Sequence, residues 1–234
     1  MTEPTVPADI HERLFVLDLD RCLITERAYA VLDKVVAESG MVDRQHFMQA
    51  RERREASGGS FDSIAWLMGQ EGFGRQEYEQ LLSQYVARAK GLGHDALLAP
   101  GARSLLDRLE QQSIPHAIMT YGGRANQLAK LKAAGLENAP FIIVDHKHKA
   151  EFITAWWDKA TKSFTAPLST GVIRARTAVL VDDKATAFRD LLPEPDARGY
   201  WVRSGRLLPS QEGDVPPNVT TIGNLLEIIE HENL

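Results

Sequence analysis

The chain has a single cysteine, Cys22, among 234 residues. An internal disulfide is therefore impossible, and a reducing compartment fits. No apolar run approaches the roughly 20 residues needed to span a bilayer, so no membrane partner is expected. An excess of basic charge is also missing: 27 Lys and Arg stand against 32 Asp and Glu, a formal net charge of -5. That balance argues against a nucleic-acid partner and favours a small molecule. Residues 1–10 carry Pro4, Pro7 and acids where a signal peptide would place a basic and then an apolar stretch, so a cytoplasmic location is expected. Internal repeats and low-complexity segments are absent. What remains is ordinary globular material, 44% hydrophobic and 25% charged, long enough for one large domain or one domain with an insertion.

After a polar leader over residues 1–12, an apolar strand is expected over Arg13–Asp18. From Glu26 to Lys90 the pattern turns helical: Ala28, Val31, Leu32, Val35 and Val36 recur at helix spacing, as do Tyr78, Leu81, Leu82, Tyr85 and Val86. Gly58-Gly59, Gly69, Gly72 and Gly74 divide this block into about four helices. Helix and strand then alternate. Strands are expected at Pro115–Met119, Phe141–Val144, Ala178–Asp182 and Tyr200–Arg203. Helices are expected between them: through Leu105, Leu106 and Leu109, from Gly122-Gly123 to Gly135, from Lys149 through Trp157, and over Ala185–Leu192. A terminal helix is expected over Ile222–Ile229, and Thr161–Thr177, with Pro167 and Gly171, reads as irregular. Such alternation predicts an α/β fold, a Rossmann-like doubly wound parallel sheet with an all-helical insertion. The domain boundaries are a core of 1–24 and 97–234 and a helical cap of 25–96.

Two of these strands end in acids. Leu14-Phe15-Val16-Leu17 closes on Asp18-Leu19-Asp20, and Ala178-Val179-Leu180-Val181 closes on Asp182-Asp183. The C-terminal edge of an open α/β sheet is where ligands bind. If the two strands are neighbours, Asp18, Asp20 and Asp182 crowd one volume, and two carboxylates at about 4 Å repel by about 4 kcal/mol at an effective dielectric of 20. Such a cluster holds a proton or a hard divalent cation, Mg²⁺ first.

The order Asp18-Leu19-Asp20-Arg21-Cys22-Leu23, then Thr120 after an apolar strand, then a lysine opening a helix, then Asp182-Asp183, resembles the haloacid dehalogenase (HAD)-like hydrolase superfamily. Ala99-Pro100-Gly101 is similar to that family's re-entry from its cap. The resemblance implies a Rossmann-like core with a C1-type helical cap. It implies Mg²⁺-dependent transfer of a phosphoryl group through an aspartyl-phosphate. By matching positions, Asp18 is the nucleophile and Asp20 the general acid and base. Asp18, Asp20, Asp182 and Asp183 form the metal set, and Thr120 and Lys149 complete the catalytic set. Thr120, Tyr121, Gly122, Lys149 and Arg21 form the phosphate-binding set. Asp20 separates a phosphatase from the family's halide-displacing members, which have no comparable acid and need no metal. Asp-x-Asp-x-Cys-Leu resembles pyrimidine nucleotidases, so the expected partner is a nucleotide or sugar phosphomonoester, bound by a monomer or homodimer. The alternatives are a mutase using the same residues and a catalytically idle phosphate-binding or interaction module.

The chemistry of these residue types agrees with the resemblance. A carboxylate nucleophile divides hydrolysis into two steps, and a second carboxyl protonates the leaving oxygen and later activates water. In a regular strand Asp18 and Asp20 would face opposite sides, so the chain must bend after Asp18. Lys149 is favoured for the lysine because it opens its helix, with Lys147, Lys159 and Lys162 as alternatives. His146 and His148 beside Asp145 read as a solvated edge rather than a metal site. Arg51-Glu52-Arg53-Arg54-Glu55 reads as a solvated helix face. Arg21 departs from the family's usual glycine or asparagine, and Cys22 reads as packing. Phe61, Trp66, Tyr78, Arg51 and Arg54 are candidate cap residues toward a substrate.

Overall fold

The computed structural model describes residues 10–56, 61–93, 95–193, 195–203 and 212–234. Positions 1–9 of the expected leader and the Gly58-Gly59 break lie outside the described residues, while residues 10–12 belong to the first strand. The chain falls into two compact units: one comprises 1–23, 99–119 and 140–234, the other 24–98 and 120–139.

The first unit is built on a mixed sheet. Strand β1 (Ile10–Leu17) pairs in parallel with β2 (His116–Tyr121) on one side and with β6 (Gly171–Asp182) on the other. Strand β3 (Phe141–Val144) lies beyond β2. Leu14, Phe15, Val16 and Leu17 are all inaccessible to solvent, which explains the unbroken apolar run: β1 is covered on both faces and needs no polar alternation. Full burial of each such side chain contributes about 2 kcal/mol.

The far side of β6 is shared. Its N-terminal half pairs antiparallel with β5 (Ser163–Leu168), which carries the two-residue β4 (Trp157–Asp158); its C-terminal half pairs in parallel with β7 (Ala197–Val202), followed by β8 (Val219–Ile222). The sheet is thus mixed, where a purely parallel one was expected. Thr161–Thr177, expected to be irregular, forms most of this hairpin. Alternation of buried and exposed positions along β5 is the period-two signal, which Pro167 and Gly171 obscured.

Three helical expectations also change. Helix α7 (Lys149–Ala155) stops before Trp157, which enters β4 and packs its ring against Phe164 at 4.7 Å. Ala185–Leu192 contains only a 3-10 turn over Ala185–Phe188, because Ala185, Ala187 and Phe188 all seek the core within one turn. The terminal helix α8 (Leu226–Glu232) starts later than expected because Ile222 ends β8. Helix α5 (Ala102–Gln111) enters through Gly101, whose φ of +84° and close approach to Leu226 leave no room for a side chain: a Cβ there would lie 2.8 Å from the Leu226 nitrogen.

The second unit holds α1 (Arg27–Glu38), α2 (Arg44–Ala56), α3 (Ser63–Met68) and α4 (Arg75–Gly91), all between β1 and α5 in sequence, together with α6 (Arg124–Ala133). Its apolar stripes meet as the periodicity predicts, with Ala28, Val31, Leu32, Val35 and Val36 of α1 buried beside Leu81 and Tyr85 of α4. The Tyr85 hydroxyl donates to the Ala28 carbonyl at 3.0 Å. No helix among the described residues is long and apolar enough to cross a membrane.

The C-terminal helix is tied to the sheet by one carboxylate. Glu232, 5% exposed, accepts a two-pronged interaction from Arg198, a 2.6 Å bond from Arg13 and a 2.7 Å bond from the Tyr200 hydroxyl. Burial alone would push this carboxyl up, but Arg198, Tyr200 and Arg13 hold it below the ordinary value of 4.5. Because the folded value is the lower one, the stabilisation is complete above pH 4.5 and fades as pH falls through the folded value. Glu232→Ala strands two guanidinium groups and is expected to cost about 2–3 kcal/mol at pH 7, with a smaller difference from the native chain at pH 3; urea unfolding at both pH values measures it.

Candidate functional site

The register of β1 and β6 sets the site. Leu17 lies opposite Val181, and the next backbone N–H, that of Asp18, donates to the Val181 carbonyl at 2.9 Å. Asp18 and Asp182 therefore leave the sheet side by side. One carboxylate oxygen from each of Asp18, Asp182 and Asp183 lies within 4.8 Å of the others, and all three residues are buried. This is the only such grouping of three potential metal ligands among the described residues.

Past Asp18 the chain bends at once. The Leu23 N–H donates to the carbonyls of Asp18 (3.3 Å) and Leu19 (3.1 Å), and Arg21 takes a left-handed φ of +64°. Buried Leu19, Cys22 and Leu23 anchor this turn, with the Cys22 thiol 3.9 Å from the Val181 carbonyl. Glycine or asparagine adopts such a φ with less strain than arginine. Asp20 leaves the turn half-buried and outside the carboxylate trio. Of the four carboxylates expected to form the metal set, Asp18, Asp182 and Asp183 are brought together here, and Asp20 is not part of that group.

Lys149 opens α7, whose Ala150 and Ile153 are buried in the sheet's core. Its ammonium forms ion pairs with Asp18 and, at 2.7 Å, with Asp182. Lys147, Lys159 and Lys162 are exposed. Burial would lower the Lys149 pKa, yet Asp18 and Asp182 more than offset it and hold it above the ordinary lysine range. Burial pushes the Asp18 carboxyl up to about 8; Lys149 opposes the rise, and Asp182 and Asp183 add to it. With all three carboxylates ionised, the ammonium groups of Lys149 and Lys184 leave one negative charge uncompensated in a buried volume. One oxygen of Asp18, Oδ2, is buried without a hydrogen-bond partner.

Lys184 is the residue that sequence reasoning missed. Its backbone N–H donates to Asp182 Oδ1 at 2.8 Å, and its ammonium lies 3.8 Å from Asp183 Oδ1. Burial would lower its pKa too, but Asp18, Asp183 and Asp182 raise it on balance. Its position directly after the acid pair was the available signal. Asp183 is held from behind as well, since the Trp201 indole N–H donates to its carbonyl at 3.1 Å.

Thr120, Tyr121 and Gly122 are placed in the second unit. The Thr120 hydroxyl is buried without a hydrogen-bond partner, Tyr121 is exposed, and Gly122 has a φ of +145°. Gln127 Nε2 donates to the Tyr121 carbonyl at 3.0 Å and lies where a Gly122 side chain would project, so the turn requires glycine.

The candidate cap residues are largely engaged within their own unit. Arg51 pairs with Asp33, which also accepts from the Ser63 hydroxyl at 3.2 Å. Phe61 and Trp66 cluster with Phe47 and His46 in edge-to-face contacts, and Tyr78 is half-buried. His146 stacks on Phe152 and lies 3.6 Å from Glu151, and its Nδ1 accepts from the His148 backbone N–H.

No family model and no curated protein matches this sequence. Solved structures do. A protein named as a haloacid dehalogenase-like hydrolase, from Burkholderia xenovorans LB400, superposes with a TM-score of 0.59 at 19% identity, covering 94% of this chain and 98% of its own. The HAD-hydrolase YfnB from Bacillus subtilis, bound to magnesium, aligns at a TM-score of 0.50 and 17% identity over 97% of this chain and 100% of its own. CbbY from Rhodobacter sphaeroides, in complex with xylulose-(1,5)bisphosphate, aligns at 0.50 and 16% identity over 93% and 96%. The chain has the HAD-like hydrolase fold. At such identities the likeness concerns architecture, and the aspartate trio with its two lysines is this chain's own observation.

Burial, with Asp18, Asp182 and Asp183 adding to it, raises the Cys22 thiol well above its ordinary value. A thiol reagent at pH 8 is therefore expected to label the native chain at least about a hundredfold more slowly than the urea-unfolded chain, which takes up one equivalent. Rapid native labelling would show that the turn after Asp18 opens in solution.

Proposed function

We propose that this chain is a Mg²⁺-dependent phosphomonoester hydrolase that acts through an aspartyl-phosphate on a small nucleotide or sugar phosphate, in the cytoplasm, as a monomer or homodimer. The observation that carries this reading is Asp18 Oδ2: a buried carboxylate oxygen without a hydrogen-bond partner, at a strand end, in an acid cluster where Lys149 binds Asp18 Oδ1 and Asp182 Oδ2 and the Lys184 backbone N–H binds Asp182 Oδ1. Burying such an oxygen unpaired is costly unless a ligand completes it. Three clustered carboxylate oxygens suit a hard cation, so Asp18, Asp182 and Asp183 are the residues that would hold Mg²⁺. When bound, Mg²⁺ would supply positive charge that offsets the carboxylates and the phosphoryl group.

The rest falls to the chain's own groups. An Asp18 carboxylate oxygen bonds to phosphorus as the ester P–O bond breaks, and Asp20 gives its proton to the departing oxygen. The Asp20 carboxylate then takes a proton from water, whose oxygen attacks phosphorus, breaks the bond to Asp18 and releases inorganic phosphate. Lys149 orients Asp18 and offers charge to the phosphoryl group, and the Thr120 hydroxyl donates to a phosphoryl oxygen. The insertion over residues 25–96 is assigned the role of cap and the choice of leaving group. A sugar bisphosphate in CbbY and magnesium in YfnB support the substrate class and the metal on this fold.

With para-nitrophenyl phosphate as substrate, phosphate release is expected to require Mg²⁺. It should fall at least about 10⁴-fold in Asp18→Asn and about 10²–10⁴-fold in Asp20→Asn, with circular dichroism unchanged. Turnover that survives Asp18→Asn refutes the nucleophile. Isomerised sugar phosphate in place of free phosphate identifies a mutase, and silence across a panel of phosphorylated metabolites identifies an idle module.

A further inference from the structure

We propose that Lys184 is a tethered cation that competes with the divalent ion for Asp183, and so sets how tightly the site binds metal. This inference rests on the metal site proposed above. It goes beyond that site by giving a role to a side chain that the nucleophile, acid, lysine and threonine assignments leave unused.

The two lysines at the cluster are differently placed. Lys149 is held twice, its ammonium shared between Asp18 and Asp182 with a side chain only 3% exposed. The Lys184 side chain is 31% exposed, and its ammonium stands 3.8 Å from Asp183 Oδ1, close enough for strong attraction but beyond a hydrogen bond. A loosely held ammonium on a flexible stem with access to solvent can move away when a stronger cation takes the carboxylate. Lys149, bonded twice and enclosed, has no such freedom.

Charge arithmetic points the same way. With all three carboxylates ionised, as a bound divalent ion requires, two ammonium groups leave one net negative charge, whereas the trio with Lys149 alone leaves two. A divalent ion entering the trio meets repulsion from the Lys184 ammonium, and at separations of a few ångströms this repulsion changes affinity by roughly tenfold or more. The Lys184 backbone N–H, which donates to Asp182 Oδ1, is present whatever the side chain. Substitution of the side chain therefore removes the charge and leaves the orientation of Asp182 intact.

The test measures metal binding directly, without turnover. Mn²⁺ titrated into the full chain and followed by electron paramagnetic resonance of the free ion is expected to bind Lys184→Met at least about tenfold more tightly than the native chain. Lys184→Arg, which keeps the charge, should stay within about threefold of native. In an Asp183→Asn background the gain from Lys184→Met should shrink to less than about threefold, because the contested carboxylate is gone. Lys184→Gln repeats the measurement should the methionine variant fail to fold. An unchanged or weaker affinity in the charge-removing variants, an equal gain with Asp183→Asn, or absence of Mn²⁺ binding in every variant would overturn the proposal. Phosphate release by the native chain with no affinity change in Lys184→Met would refute the tethered cation and leave the hydrolase reading standing. Tighter Mn²⁺ binding without phosphate release would do the reverse.

Discussion

The buried ammonium of Lys149 between Asp18 and Asp182 is the constraint from which the site's geometry follows. It joins three elements remote in sequence: the end of β1, the start of α7 and the end of β6. Without it, carboxylates a few ångströms apart would repel by about 4 kcal/mol per pair. Attraction to one cation turns that repulsion into a shared requirement on position. Buried ion pairs of this kind seldom add net stability, since desolvation consumes most of the Coulombic gain. The energy that keeps the strands together comes instead from burial of β1 on both faces.

The sheet is arranged to deliver those acids without strain along its length. Strand β6 runs for twelve residues, and its two halves have different neighbours: β5 stabilises the beginning and β7 the end. The end is thereby free of the hairpin, and Asp182 pairs with Trp201 at the last position of the ladder. Trp201 then serves twice, as core in the sheet and as a donor to the Asp183 carbonyl. Groups behind the acids thus orient those that face a ligand, as outer-shell partners do in metal sites generally.

Strand positions and the acids at their ends were legible because burial on both faces writes a continuous apolar run, and a carboxylate closing such a run has no packing reason to be there. Lys149 was legible only against three other lysines, and of the four it is the buried one, paired with Asp18 and Asp182. The hairpin of β5 and β6 was hidden because Pro167 and Gly171 signal a break, and here they flank a turn between paired strands. That Asp20 stands outside the carboxylate trio was not legible, because spacing along a strand says nothing about a turn that begins one residue earlier. Lys184 was overlooked because nothing in the sequence separates a lysine near the acid cluster from one in solvent; its ammonium stands 3.8 Å from Asp183 Oδ1. Thr120 was found by its place after an apolar strand, yet its hydroxyl's burial without a partner is visible only in three dimensions.

A scaffold with no ligand to serve would gain by giving up this cluster. Replacing a buried ionic group with well-packed apolar side chains of similar volume is commonly neutral or stabilising by about 1–4 kcal/mol. The strand ends adjoin Leu17, Val181, Leu19 and Cys22, all inaccessible to solvent, so apolar neighbours for such replacements are already in place. A chain that instead buries three aspartates, ties two lysines to them and leaves Asp18 Oδ2 unsatisfied keeps an arrangement that stability alone does not favour. In the proposed function a cation would offset the excess of carboxylate, and a phosphoryl group would give the ammonium of Lys149 an anion beyond Asp18 to hold.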